Sequence, residues 1–562
     1  MSQIEAENLF KIAHENYEKK DYLKAQNCLY KILELYPENL SALINLSLCY
    51  FDDKNFEQAE LILKKIIKIK INTPNVILQL IIALEKQDKV DEAIHYINLG
   101  IKEKILGERW FIREKIILPM IFKNKDDVKS SRNRLNENLN EILNSEKKIL
   151  LDIDNQILKP PHFELSYNEY DNLEINKKCV NFFRKIYPQI NETNVLKNIS
   201  KSKVKIGFIS EHLTDHTIGK LYKGIILNLD QNKFDTIVFH TQKTKKGQIY
   251  ESFINAEKNN VIKNYILPKK FKDKQKIISE QGLDILFYPE IGLSLDLYFL
   301  SYIRLAKYQI TSWGHPETTG NNTVDYFLTS KLIEAQGSER NFSENLLYSN
   351  YVPMYYYTPI VKNILKKDEL SKNNIYSCPQ TLCKIHPDFD DVLGNILKED
   401  KNATIYFLKD LDHTWYKKLI NRFKKNKNLD LNRLKFIDRF TTWEDYINHC
   451  GKASVLLDPL YFSAGNSFYE SMFYGTPSVT KPTKYTKSRL VLGAYNQMEI
   501  QDAPIAPVVD KVNDYVETAV TIANNKNLYE LKKYYNEKAK KKLYENKFVI
   551  DDLEKIFIKL VN

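Results

Sequence analysis

The loop DPLYFSAGNSF at residues 458–468 holds the chain's densest set of groups suited to gripping a phosphate. A short apolar, β-branched run precedes it at 454–457, and a helical run over 468–474 follows and stops at Gly475. This order of strand, glycine-containing turn and helix gathers backbone N–H groups at a helix start. Ser463, Gly465, Asn466 and Ser467 lie there, where unpaired donors and the helix dipole favour an anion. Glu470 lies about one helical turn further on, where a carboxylate can receive two ribose hydroxyls. The same residues also describe an ordinary βα loop that holds no ligand, because one glycine and a few hydroxyls are weakly specific.

Three other stretches carry groups able to do chemistry. Glu211, His212, Asp215 and His216 follow the apolar run at 204–210, where a doubly wound sheet presents its first loop to a cleft. A histidine there can serve as a general base or donate a hydrogen bond to a phosphate, although an ordinary surface histidine fits the residues equally well. In WGHPETTG (313–320), Pro316 and Gly320 constrain the backbone while His315, Thr318 and Thr319 offer an imidazole and two hydroxyls. In CPQTLCKIHPDFDD (378–391), Lys384 stands between a strand end and a helix opened by Pro387. A lysine so placed can neutralise a diphosphate leaving group as its charge develops. Asp388, Asp390 and Asp391 read either as a metal-binding carboxylate cluster or, the expectation here, as acids favoured in a first helical turn. His, Asp and Cys spacings elsewhere assemble no zinc site, so neither a metal nor a cofactor is expected.

These groups need a scaffold, and the pattern supplies one. Short β-rich runs at 204–210, 236–242, 285–288, 308–313 and 325–330 alternate with helical patterns. After a break at 365–374 the rhythm resumes with runs at 374–379, 403–408, 434–437, 454–458 and 477–480. Two such sets predict two doubly wound α/β sheets, with the ligand in the cleft between them. The N-terminal part is all-α. Tyr22-Leu23-x-Ala25, Phe56-Glu57-x-Ala59 and Val90-Asp91-x-Ala93 recur every 34 residues, and Leu29, Leu63 and Ile97 keep the same step. That is the period of a tetratricopeptide helix pair, whose small residues permit close helix approach and whose pairs stack into a solenoid. Between repeats and sheets, helical patterning continues over 105–151, and Pro160-Pro161 breaks it. Residues 165–199 read as irregular, with one amphipathic helix near 175–186.

The chain has 562 residues, enough for three or four units at about 150 residues each. With 43% apolar and 12% aromatic residues it can bury a large core, and no run approaches the roughly 20 apolar residues of a membrane span. The first residues lack the basic and apolar segments of a secretory signal, and six scattered cysteines show no C-x-x-C spacing. Reduced thiols and a cytoplasmic location are the expectation. The net charge of +11 is spread over lysine-rich surface, mildly concentrated at 424–427 and 538–542. Without a basic helix or an aromatic RNA-binding pattern, no nucleic-acid partner is expected.

WGHPETTG with VDYFLTS behind it, CPQTLCKIHPDF, and LDPLYFSAGNSFYESMFYGTPSVTKP followed by Arg489 resemble, in order, the catalytic region of the O-GlcNAc transferase family. That family includes the plant Spindly proteins and bacterial tetratricopeptide-repeat relatives, and the similarity runs from about Val204 to the C-terminus. The resemblance implies an inverting, metal-independent glycosyltransferase of GT-B fold that uses a nucleotide sugar, UDP-GlcNAc or a UDP-hexose. It implies that His216 is the active-site histidine, that Lys384 contacts the donor diphosphate, that Asn466 and Ser467 lie at the pyrophosphate, and that Glu470 binds the ribose. His315, Thr318, Thr319, Gln380, Gly465 and Arg489 complete the expected donor-binding set. Two departures leave nucleobase, sugar and acceptor atom open. Trp443 and Tyr446 replace the family's uracil-contacting lysine and nearby histidine. His315 replaces the tyrosine of animal enzymes and matches the GHP form of bacterial N-glycosyltransferases.

The expected organisation is about three repeats over 1–105, a helical connector over 106–200, and GT-B halves over 201–365 and 366–562. The expected activity moves GlcNAc or hexose to protein side chains, foremost Ser or Thr, with the acceptor held partly by the repeats. The alternatives are an inactive tetratricopeptide scaffold, or a transferase acting on Asn or on a non-protein glycan.

Overall fold

Ala25, Ala59 and Ala93, with Leu29, Leu63 and Ile97, are 0–1% exposed, so the residues repeated every 34 positions are those that must be small or apolar for helices to touch. They lie on the second helices of successive pairs: Gln3–Glu18 with Tyr22–Leu35, Leu40–Asp52 with Phe56–Ile69, and Pro74–Lys86 with Val90–Lys102. Each pair turns through a left-handed residue, Lys20, Lys54 and Asp88, with φ of 61°, 61° and 55°. The residue after it, Asp21 or Asn55, caps the next helix by accepting the N–H of Lys24 or Gln58 at 3.3 Å. Edge-on contacts between Tyr17 and Tyr22 and between Phe51 and Phe56 recur at the same step.

The computed structural model describes residues 3–70, 74–192 and 202–562. Residues 193–201, which include the end of the stretch read from sequence as irregular connector, lie outside the described residues. The chain forms two compact units, Met1–Ile121 with Asp410–Lys418, and Phe122–Lys409 with Leu419–Asn562. The stretch expected as one connector is therefore divided. Helix Glu108–Ile116 falls in the first unit, while Lys125–Asn144, His162–Ser166 and Leu173–Ile186 fall in the second. These later helices brace the first sheet: Asn176 Nδ2 donates to Thr318 O at 2.8 Å, and Arg184 donates to Tyr302 O at 3.1 Å.

The second unit contains two parallel sheets. The first comprises β1 (Val204–Ile209), β2 (Phe234–Thr241), β3 (Lys263–Leu267), β4 (Ile285–Tyr288), β5 (Tyr308–Ser312), β6 (Tyr326–Ser330) and β7 (Asn345–Ser349), in the order β3-β2-β1-β4-β5-β6-β7. The second comprises β8 (Ile375–Cys378), β9 (Thr404–Leu408), β10 (Leu434–Ile437), β11 (Val455–Leu457) and β12 (Ser478–Val479), in the order β10-β9-β8-β11-β12. β3 and β7 escape the sequence pattern for one reason. They are the edges of the first sheet, half covered, and so lack the continuous apolar run of a strand buried on both faces. In both sheets the chain reverses direction of growth beside its first strand, at β1/β4 and at β8/β11. Those are the points where loops at the carboxyl ends open a crevice.

The C-terminal helix Lys547–Val561, assigned from sequence to the second half, packs on β7 and β1 of the first sheet. Glu554 there accepts the Asp230 N–H at 2.7 Å and the Lys233 ammonium at 2.8 Å. A second tie joins the halves through a buried ion pair, Lys487 Nζ to Glu317 Oε2 at 2.9 Å, with side chains 1% and 9% exposed. Among the described residues no helix is long and apolar enough to cross a membrane.

Removing one member of a buried ion pair strands the other charge, whereas removing both is often close to neutral. Lys487→Met should therefore destabilise the second unit by about 3–5 kcal/mol, read as a lowered urea midpoint. Adding Glu317→Leu should recover most of the loss, and a single variant as stable as the parent would contradict the role given to this pair.

Candidate functional site

The loops at both reversal points converge on one cavity of about 500 Å³ within the second unit. From the first sheet come Asp215, His216, Lys220, Trp313, Gly314 and Pro316. From the second come Gln380, Lys384, Arg439, Trp443, Tyr446, Phe462, Gly465, Asn466, Ser467 and Glu470.

Lys384 is the centre of the second wall. It lies in a single 3₁₀ turn, Leu382–Lys384, after β8, and its ammonium donates to Gln380 Oε1 at 3.0 Å and to Ser463 O at 3.2 Å. Both acceptors are neutral. Burial lowers the lysine's pKa, and the charge of Asp458 works against that shift. Gln380 Nε2 in turn donates to Ser467 Oγ at 2.7 Å, so Lys384, Gln380 and Ser467 form one chain of hydrogen bonds. The Tyr356 hydroxyl donates to Asn466 Oδ1 at 2.8 Å.

Asp458 shapes the loop that carries these groups. Its carboxylate accepts the Ser463 hydroxyl at 2.7 Å, the Ala464 N–H at 2.7 Å and the Thr480 hydroxyl at 2.6 Å. Burial raises its pKa to about 6, against the pull of these donors. The helix after the loop runs only from Asn466 to Ser471, shorter than the run expected over 468–474, so few aligned peptides back the loop and its helix dipole is small. The turn that follows closes at Gly475, where φ is +68° and a Cβ would lie 1.9 Å from Lys532 O, so no side chain fits.

On the first wall, His216 caps helix Thr217–Asn228, its Nδ1 accepting the Ile218 N–H at 3.3 Å. Burial, aided by His212 and Lys220, lowers its pKa to about 4. The ring is thus neutral at physiological pH, and with Nδ1 accepting, the proton sits on Nε2. This makes His216 a hydrogen-bond donor at Nε2. Asp215 is committed to structure, accepting the N–H groups of Gln248 and Ile249 at 3.0 and 2.8 Å. Glu211 accepts the Ser294 hydroxyl at 2.7 Å.

Four residues expected at the donor lie elsewhere. Trp313, Gly314 and Pro316 of the WGHPETTG loop face the cavity, and the other members point back into the protein. His315 is buried with Nε2 3.2 Å from Ser166 Oγ and its ring against Phe163. Thr318 donates to Glu344 Oε2 at 2.7 Å, and the Thr319 hydroxyl donates to Glu344 as well. Gly320, at φ +70°, passes so close to the Asn176 backbone that a Cβ would lie 2.5 Å from it. These residues anchor the loop and do not line the cavity. Arg489 donates to Ile333 O and, at 2.9 Å, to Thr483 O, which joins the halves of the unit, and it is not among the residues lining the cavity. The acidic cluster is also engaged: Asp390 forms a two-point pair with Arg422 at 2.7 and 2.8 Å, and Asp388 meets Lys125 at 2.6 Å.

Lys220, Trp313 and Asp458 are site residues that sequence reasoning passes over. Lys220 stands four residues after His216, a spacing that puts both on one helix face and is a usable signal. Trp313 opens a motif whose polar members draw notice instead.

Residues 17–76 match the tetratricopeptide repeat family model. The chain is 24% identical over 275 residues to a UDP-glucose:protein N-beta-glucosyltransferase of Actinobacillus pleuropneumoniae serotype 5b, covering 48% of this chain and 43% of the relative. It is 21% identical over 310 residues to a probable UDP-N-acetylglucosamine–peptide N-acetylglucosaminyltransferase, SPINDLY, of Arabidopsis thaliana, covering 53% and 33% of the two chains. The chain thus spans less than half the length of these curated relatives. A solved structure of a Thermobaculum terrenum O-GlcNAc transferase mutant superposes with a TM-score of 0.67 at 15% identity, covering 100% of this chain and 99% of that one. That likeness establishes the fold, tetratricopeptide repeats followed by the two parallel α/β halves of GT-B. The resemblance drawn from the motifs is therefore matched by relatives of O-GlcNAc transferase and N-glucosyltransferase type, all of them named as glycosyltransferases.

Nitrogen-15 NMR of labelled histidine should show His216 as the Nε2–H tautomer, with no titration above about pH 5 given its pKa of about 4. A midpoint near the ordinary histidine value would contradict this burial and tautomer.

Proposed function

We propose that the protein is an inverting glycosyltransferase that moves a sugar from a nucleotide diphosphate sugar, UDP-GlcNAc or a UDP-hexose, to protein side chains. The observation that carries the reading is Lys384, an ammonium half-buried in a cleft between two doubly wound sheets and, among the described residues, hydrogen-bonded to two neutral oxygens. A partly desolvated charge without an ionic partner in contact is costly, and a diphosphate is the partner that such a cleft is shaped to receive.

The steps follow from the residues. Ribose hydroxyls bond the Glu470 carboxylate, and the diphosphate meets Lys384, Ser467 and the backbone around Gly465. The acceptor atom attacks the anomeric carbon from the face opposite the diphosphate, forming one bond as the C–O bond to phosphate breaks. The bonding pair leaves with the diphosphate, where Lys384 stabilises the added charge, and the acceptor proton passes to an oxygen of that diphosphate or to water. His216, donating from Nε2, orients donor or acceptor oxygen and does not remove the acceptor proton. The engaged states of Asp388 and Asp390 support transfer without a metal. A Ser or Thr hydroxyl is the first acceptor, held partly by the repeats. The named N-beta-glucosyltransferase relative favours Asn as the second. Free, mostly buried thiols accord with a cytoplasmic setting.

Lys384→Ala should lower kcat by about 10²–10³-fold, the cost of one preorganised electrostatic donor. Release of nucleoside diphosphate by purified, EDTA-treated protein with an unchanged circular dichroism spectrum is the measurement. Full activity in the variant would remove Lys384 from the diphosphate. Wild-type activity lost in EDTA and restored by Mn²⁺ would return the aspartates as ligands.

A further inference from the structure

Lys220 belongs to the first half of the cleft, yet its ammonium engages two residues of the second. It forms an ion pair with Glu470 Oε1 and lies 3.2 Å from the centroid of the Trp443 ring. The Lys220 and Glu470 side chains are 12% and 7% exposed, whereas Trp443 is 44% exposed at the rim. All three line the cavity. With Oε1 held by Lys220, Oε2 remains for a ribose hydroxyl. With one face of the indole covered by the ammonium, the opposite face remains for a planar base. Burial lowers the lysine's pKa, and the Glu470 charge opposes that shift.

We propose that Lys220 is a positioning residue for the donor's nucleoside: it holds the Glu470 carboxylate and the Trp443 ring as one recognition surface, so that nucleoside binding needs both halves of the cleft. The inference rests on the reading of Glu470 as the ribose carboxylate, and adds a residue from the opposite wall that sets specificity for the nucleoside over the phosphates.

Titration calorimetry on the full chain with UDP, 2′-deoxy-UDP and inorganic pyrophosphate tests it, in wild type, Lys220→Met, Lys220→Arg and Trp443→Leu. Lys220→Met should weaken UDP about tenfold or more, the worth of a hydrogen bond to a charged group. It should leave pyrophosphate within about twofold and erase the preference for UDP over 2′-deoxy-UDP. Lys220→Arg should restore part of the loss. Trp443→Leu, at the exposed rim and outside the ion pair, should weaken UDP and spare pyrophosphate even if the lysine variants fold poorly. Wild-type affinity for UDP in folded Lys220→Met overturns the inference and leaves the proposed function standing. Equal loss of UDP and pyrophosphate makes Lys220 a phosphate contact and also overturns it. A wild-type protein that binds pyrophosphate but neither nucleotide refutes the ribose reading of Glu470, and the inference with it.

Discussion

The second unit is organised around one half-buried positive charge. The ammonium of Lys384 is held by an amide oxygen and a backbone carbonyl, while Asp458, the carboxylate whose charge acts on it most, is spent on tying down the loop. Such a charge is tolerated only where the surroundings are rigid enough to deny it a better arrangement. The surroundings are rigid here. Asp458 fixes Ser463 and Ala464, Gln380 bridges Lys384 to Ser467, and Gly475 lets the turn after the loop's helix close tightly against Lys532. The first half supplies the opposite wall, where His216 is kept neutral by burial and Lys220 reaches across to Glu470.

That arrangement depends on the two sheets keeping their relative position, and the ties between them are polar, the first of them buried. Lys487 with Glu317, Arg489 with the Ile333 carbonyl, and Glu554 on the last helix with Lys233 all join one half to the other. The motif residues that do not line the cavity belong largely to this second task. His315, Thr318, Thr319 and Arg489 hold the loops in place from behind.

Central strands and repeats were legible because burial leaves a period in the sequence. β4, central and buried at every position, coincides with its apolar run, and Ala25, Ala59 and Ala93 mark fully buried helix contacts. The edge strands β3 and β7 were not legible, because a half-exposed strand keeps polar residues such as Lys263 and Asn345. The repeat turns at Lys20, Lys54 and Asp88 were hidden for another reason: left-handed turns are expected at glycine, and none of these is one. In the site, residues adjacent to a strand end, His216, Gln380 and Lys384, reached the cavity as read. His315, Thr318 and Thr319 of the WGHPETTG loop lie off the cavity because residue type reports what a side chain can bind and not which way it points. Lys220 was missed because a lysine on an amphipathic helix reads as solvent-facing until its partner on a distant segment is known.

The central claim is that this cleft passes a sugar from a nucleotide to a polypeptide. Intact-mass and peptide mass spectrometry of candidate acceptor proteins, after incubation with the purified chain and either UDP-GlcNAc or UDP-glucose, addresses it directly. The account predicts acceptors heavier by one or more sugar units at defined side chains, appearing only when enzyme and donor are both present. Release of UDP with no sugar on any polypeptide, or no consumption of either donor, would contradict it.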